Sequence, residues 1–127
     1  MSHRTLLFLL AAASCCAAAS LPNPSFEEGD GSPSGWRLQG KGAWEKAGHS
    51  GQRAVSVTGT GKDDGYWRTT DFAFEPNTLY RLAFWAKAER ASGGCVTSGP
   101  SFCNRDFPAQ AGWQHHASCF LLSLIHI

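Results

Sequence analysis

The chain has 127 residues, 43% of them hydrophobic, and a formal net charge of +1 at pH 7. That length allows one domain, the apolar fraction argues against a disordered chain, and the balanced charge lacks the basic face that phosphate binding needs, so no nucleic-acid partner is expected. Fourteen Gly and five Trp against a single Met point to a turn-rich β protein and away from a helical bundle.

At the N-terminus, His3 and Arg4 precede the apolar run Leu6–Ala13, and the small residues Ala17–Ala18–Ala19 lead into Ser20. This order predicts a secretory signal over 1–19 and hence a secreted or extracellular protein. The run is shorter than the roughly 20 residues a bilayer span takes, so no transmembrane segment is expected. Cys15 and Cys16 keep an alternative open. Ala12–Ala13–Ser14–Cys15 weakly resembles a lipobox, and an acyl chain there would tether the protein instead of releasing it. Beyond the signal remain Cys95, Cys103 and Cys119. In an oxidising compartment an odd count implies one bridge plus a free thiol, or a missing partner. Cys95 and Cys103 are expected to pair, closing a short loop of Gly, Ser and Pro. Neither CxxC nor HxxxH spacing accompanies them, which argues against zinc.

Along residues 20–120, turn-forming clusters recur at short intervals: 21–24, 29–35, 48–51, 59–65, 75–78, 92–94 and 97–100. Strand-length runs lie between them at 25–27, 36–38, 43–46, 53–58, 66–72, 79–87, 101–102 and 113–120. No window sustains the i, i+3, i+4, i+7 apolar spacing of a surface helix. The expected fold is all-β, an antiparallel β-sandwich of jelly-roll type. Side chains alternate across a strand, so Leu79–Lys87 is expected to turn Tyr80, Leu82, Phe84 and Ala86 inward and Arg81, Ala83, Trp85 and Lys87 outward. By the same rule Val55 and Val57 face in, while Ala54, Ser56 and Thr58 face out.

Four motifs occur in order: Asn23–Pro24–Ser25–Phe26–Glu27–Glu28, Ser34–Gly35–Trp36, His49–Ser50–Gly51 leading into Arg53–Val57, and Pro76–Ala88 with Leu79–Tyr80–Arg81–Leu82–Ala83–Phe84–Trp85 at its centre. Together they resemble the CenC-type carbohydrate-binding modules of the galactose-binding-like jelly-roll superfamily, over about residues 21–120. The resemblance implies a non-catalytic polysaccharide- or oligosaccharide-binding domain, often attached to a glycoside hydrolase. It also implies a structural calcium ion held by Glu27 and by backbone carbonyls at Ser50 and Arg53. In such modules a further strand follows the region reached here, whereas this chain ends Leu121–Ile127. Ser123–Leu124–Ile125–His126–Ile127 resembles translated sequencing-adapter read-through, so 121–127 is expected to be a non-native tail on a truncated gene model, with a genuine terminal strand as the alternative. A catalytic domain beyond that break is a further expectation.

Sugar binding needs a flat aromatic for the C–H face of a pyranose and polar groups for its hydroxyls. Trp85, with Arg81 on the same strand face, leads the candidates, followed by Trp44, Tyr66 and Trp67. Tyr66 and Trp67 are neighbours on a strand, so one of the two belongs to the core. Trp36 and Trp113 sit at turn-to-strand entries and read as structural seals. Asp30 and Asp63–Asp64 lie in Gly-flanked turns and read as turn formers. Enzymatic readings lack support: no acidic pair is singled out for glycoside hydrolysis, no G-x-S-x-G elbow is present, and Gly59–Thr60–Gly61–Lys62 lacks the remainder of a phosphate loop. A rival from another class is a β-sandwich spacer in an envelope protein with no sugar ligand.

Overall fold

A computed structural model describes residues 20–59, 62, 65–89, 95–108 and 110–122. The expected signal segment with Cys15 and Cys16, the Asp63–Asp64 pair and Ser123–Ile127 lie outside them. Eight strands and no helix make up the described residues. They are β1 (Arg37–Gln39), β2 (Gly42–Glu45), β3 (Ala54–Val57), β4 (Tyr66–Arg68), β5 (Leu79–Ala86), β6 (Cys95–Ser98), β7 (Arg105–Pro108) and β8 (Gln114–Leu121). All pairing is antiparallel, in four ladders: β1 with β4, β2 with β3, β5 with β8, and β6 with β7. The fold is an all-β antiparallel sandwich, as the spacing of turns and strand-length runs predicts.

The β5–β8 ladder builds the core. Eight residues of each strand pair, from Leu79 opposite Leu121 to Ala86 opposite Gln114. The inward set is the expected one. Tyr80 is 6% exposed and stacks on Phe120 directly across the ladder, with ring centroids 5.7 Å apart. Phe74 meets Tyr80 and Phe120 edge-on at 5.1 and 5.9 Å. Farther along the same face, Phe84 meets Phe107 of β7 at 5.1 Å. These edge-to-face contacts suit the ring quadrupole and add to the gain from burial. The Tyr80 hydroxyl accepts the backbone N–H of Glu75 at 2.8 Å, so its polar end is satisfied as well.

Several features depart from the expectations, among them the 25–27 run, which forms no strand, and β7, which lies outside the expected strand runs. Val57 is 48% exposed, because its cross-ladder neighbour is Gly42, which has no side chain to cover it. The 101–102 run is part of a turn, and the hairpin it connects, β6 with β7, includes residues expected to be turn. The two cysteines expected to pair lie on β6 (Cys95) and in the turn that follows it (Cys103). Cys95 stands opposite Pro108 at the open end of the ladder, whereas Cys103 lies in the connecting turn beyond the Ser98–Arg105 pair. Cys103 is a half-buried free thiol; burial pushes its pKa up, against the opposing charge of Arg105.

Ordered contacts continue past residue 120. Leu121 closes the β8 ladder, and Leu122 is 1% exposed. Leu122 donates its N–H to the Thr78 carbonyl at 3.2 Å and accepts from Asn77 N–H at 2.7 Å. Both leucines, the first two residues of the expected 121–127 tail, thus pack against the sandwich.

Candidate functional site

The N-terminal motif is organised by one side chain. Asn23 Nδ2 donates to the carbonyls of Glu28 (2.7 Å) and Ser34 (3.2 Å), while its Oδ1 accepts Glu28 N–H at 3.1 Å. This clasp carries the chain through Phe26, whose φ of 59° lies in the left-handed region, where bulky residues are rare. The Phe26 carbonyl accepts the indole N–H of Trp44 at 2.7 Å. Trp44, on β2, is covered on one ring face by the Arg53 guanidinium, 4.0 Å from the ring centroid. The Arg53 backbone N–H in turn donates to Glu27 Oε1 at 3.0 Å. Phe26–Glu27, Arg53 and Trp44 thus form a closed circuit of contacts.

This circuit stands behind one wall of an open groove of about 500 Å³. The groove is lined by Trp36, Leu38, Ala43, Trp44 and Trp67, with Arg37 and Ser32 at its margin. Ladder geometry assembles it: β1 pairs with β4, which sets Leu38 opposite Trp67, and β2 brings in Trp44. Each indole N–H is held by a backbone carbonyl, that of Trp36 by Pro22 at 2.8 Å and that of Trp67 by Ser56 at 2.9 Å. The rings are thereby fixed in orientation. Such a groove offers apolar ring surface with guanidinium, hydroxyl and backbone groups at its rim, a chemistry suited to a polyhydroxylated ligand with C–H faces.

The structure divides the sequence-predicted candidates among three places. Trp44 and Trp67 line the groove. Tyr66 alternates to the other side of β4, where it is exposed and its hydroxyl donates to Gln39 Oε1 at 2.9 Å. Trp85 and Arg81 lie on the outer face of the β5–β8 ladder. Trp85 is 46% exposed; His49 stacks on it at 3.8 Å with 12° between the planes, and His115, directly opposite on β8, meets it edge-on at 5.3 Å. Trp113 joins this cluster, 5.6 Å from His49.

Sequence reasoning missed Trp36 as a groove residue and His49 as the cover of Trp85. Trp36 carries a partial signal, since it and Trp44 flank the short β1 and its turn. His49 carries none, because its partner is 36 positions away in the sequence.

Glu27 and the 50–53 segment, expected to share a calcium ion, do come together. A Cβ at Gly51 would collide with Glu27 Oε1, so the glycine leaves room for the carboxylate. Calcium takes six to eight oxygens, and Glu27 brings one carboxylate. No group of three or more His, Cys, Asp or Glu suited to a metal is found among the described residues.

A β-sandwich with an aromatic-lined groove and fixed indoles is the architecture of a binding module. A family model described as a carbohydrate binding domain matches residues 18–99, and the chain belongs to that family. The matched segment contains the whole groove and Trp85, and it ends after β6. No curated protein and no solved structure gives a significant match. No helix among the described residues is long and apolar enough to cross a membrane.

Proposed function

We propose that this protein binds polysaccharide without transforming it, and that the groove between β1, β2 and β4 is the contact. The observation that carries this reading is the convergence of Trp36, Trp44 and Trp67 on one open groove in a chain of the carbohydrate binding domain family. A groove open along its length covers only part of a sugar chain, so affinity is modest, roughly micromolar to millimolar. The proposal extends to a module of a larger secreted glycan-degrading protein. There it holds an attached catalytic domain near its polymer and raises effective concentration, with no effect on the chemical barrier.

Affinity electrophoresis in gels containing soluble β-glucan, xylan or galactan tests the reading. Retarded migration in at least one gel is expected. Trp44→Ala should weaken retention about tenfold or more, as expected for truncating a central aromatic anchor. Free migration of the wild type in all of them would overturn it.

Calcium belongs to the same proposal. Glu27 and the carbonyls of Ser50 and Arg53 would hold it together with solvent, and the ion would brace the 48–53 loop. Gly51, which leaves room for the Glu27 carboxylate, supports this assignment.

A specific observation also favours the spacer reading. Every groove indole is tied to backbone, and His49 already occupies one face of Trp85, as structural aromatics would require. Solvent-exposed indoles that no glycan protects from fluorescence quenching would decide for the spacer.

A further inference from the structure

We infer that the outer face of the β5–β8 ladder, around Trp85, binds an anionic polysaccharide. This rests on the carbohydrate-binding reading and assigns a second surface with its own ligand chemistry. Neither strand segment, 79–87 or 113–121, contains an Asp or Glu. The outward strand positions carry Arg81 and His115, Lys87 follows β5 as an exposed residue beside Trp113, and His49 is laid on Trp85 from the 46–53 loop. Arg81 and Lys87 flank Trp85 on the same face, about 13 Å to one side and about 7 Å to the other at the usual rise per residue.

The cations are placed for exchange with a ligand. Lys87 Nζ lies 5.3 Å from the Trp113 ring centroid and 3.6 Å from the carboxylate of Glu89, in an exposed pair. Such pairs contribute little, so an incoming carboxylate or sulfate displaces Glu89 at small cost. Glu89 thereby marks where a ligand's acid group sits. The exposed part of Trp85, 46% of the residue, supplies apolar surface for pyranose C–H groups between the two cations. Nucleic acid fits less well. The chain belongs to a carbohydrate binding domain family, and the part of Trp85 left open beside His49 is a single small surface rather than a platform for successive stacked bases.

The test is affinity electrophoresis of the full chain in gels containing polygalacturonate, dextran sulfate, neutral β-glucan, xylan or galactan, with oligo-dT as a competitor. Retardation by at least one anionic glycan is expected, and it should weaken at high salt. Carboxylate and sulfate sources are distinguished by which gel retards the chain. Lys87→Gln should reduce this retardation about two- to fivefold, the range of one exposed charge contact, and Lys87→Glu should reduce it further. Both variants should migrate as wild type in the neutral gels. Retention by a neutral glycan with free migration in both anionic gels overturns this inference alone. Retention only by anionic glycans, lost in Lys87→Glu, supports it and overturns the groove reading. Equal retardation in the Lys87 variants, or full displacement by oligo-dT, overturns it as well.

Discussion

Trp44 is held from two directions, by the Phe26 carbonyl at its nitrogen and by the Arg53 guanidinium on its ring. Glu27 acts on it only through Arg53. This makes Glu27 and Arg53 positioning residues for the groove. Arg53→Ala should cost about 0.5–1 kcal/mol of stability, the size of an exposed cation–π contact, and should weaken retention by the groove's glycan, whereas Arg53→Lys restores both in part. Glu27→Gln keeps an acceptor for the Arg53 N–H and should bind like wild type in calcium-free buffer; Glu27→Ala should not. Urea unfolding beside affinity gels reads both effects. His116 presents a different residue-scale problem. It sits between Phe84 and Phe107, with ring centroids at 5.5 and 5.2 Å, and its buried Nε2 has no hydrogen-bond partner. An unsatisfied buried polar atom costs about 1–3 kcal/mol. His116→Phe should therefore leave the urea midpoint unchanged or raise it; a clear fall would show that the nitrogen is satisfied in solution.

Among the elements, β5 was the most legible in the sequence. Its alternation of Tyr80, Leu82 and Phe84 with Arg81, Ala83 and Trp85 reappears as alternating burial, because a strand covered on one face leaves little choice of side. The short strands were less legible. With three or four residues each, β1, β3 and β4 carry too little pattern to fix an inner face, and Val57 shows how one glycine across the ladder defeats the alternation rule. The close of β8 was hidden for another reason. Leu121–Leu122 directly precede the Ser123–Ile127 run that resembles adapter read-through, and their ladder pairing and backbone bonds to Asn77 and Thr78 appear only in the tertiary structure. Leu122→Ala should cost about 2–5 kcal/mol, as for other buried leucines, and Gly42→Ala should destabilise the β2–β3 ladder because its Cβ would collide with the Ser56 carbonyl. A chain that tolerates Leu122→Ala without a fall in the urea midpoint would place residue 122 in the expected tail.

At the scale of the whole molecule, the 46–53 loop connects two aromatic surfaces. Arg53 backs the groove through Trp44, and His49 covers Trp85. Whatever steadies this loop steadies both, and the proposed calcium ion is one such agent. Calcium in place of EGTA should raise the thermal midpoint by an amount that grows with ion concentration, since a ligand bound only to the folded state stabilises it by mass action. The increment should vanish in Glu27→Ala. An identical midpoint in calcium and EGTA would remove the ion from the account.

Local rules determined a good deal. Turn residues and strand-length runs set the fold class, ordered motifs pointed to the family, and alternation along Leu79–Ala86 separated core from surface. These are properties of neighbouring residues, and they are written along the chain. Tertiary structure alone decided that Trp36 joins Trp44 and Trp67 in one groove, that His49 lies on Trp85, and that Cys95 and Cys103 end at opposite ends of a hairpin. Each of these depends on ladder partners distant in sequence, and register between such partners is fixed by the packing of the whole sandwich.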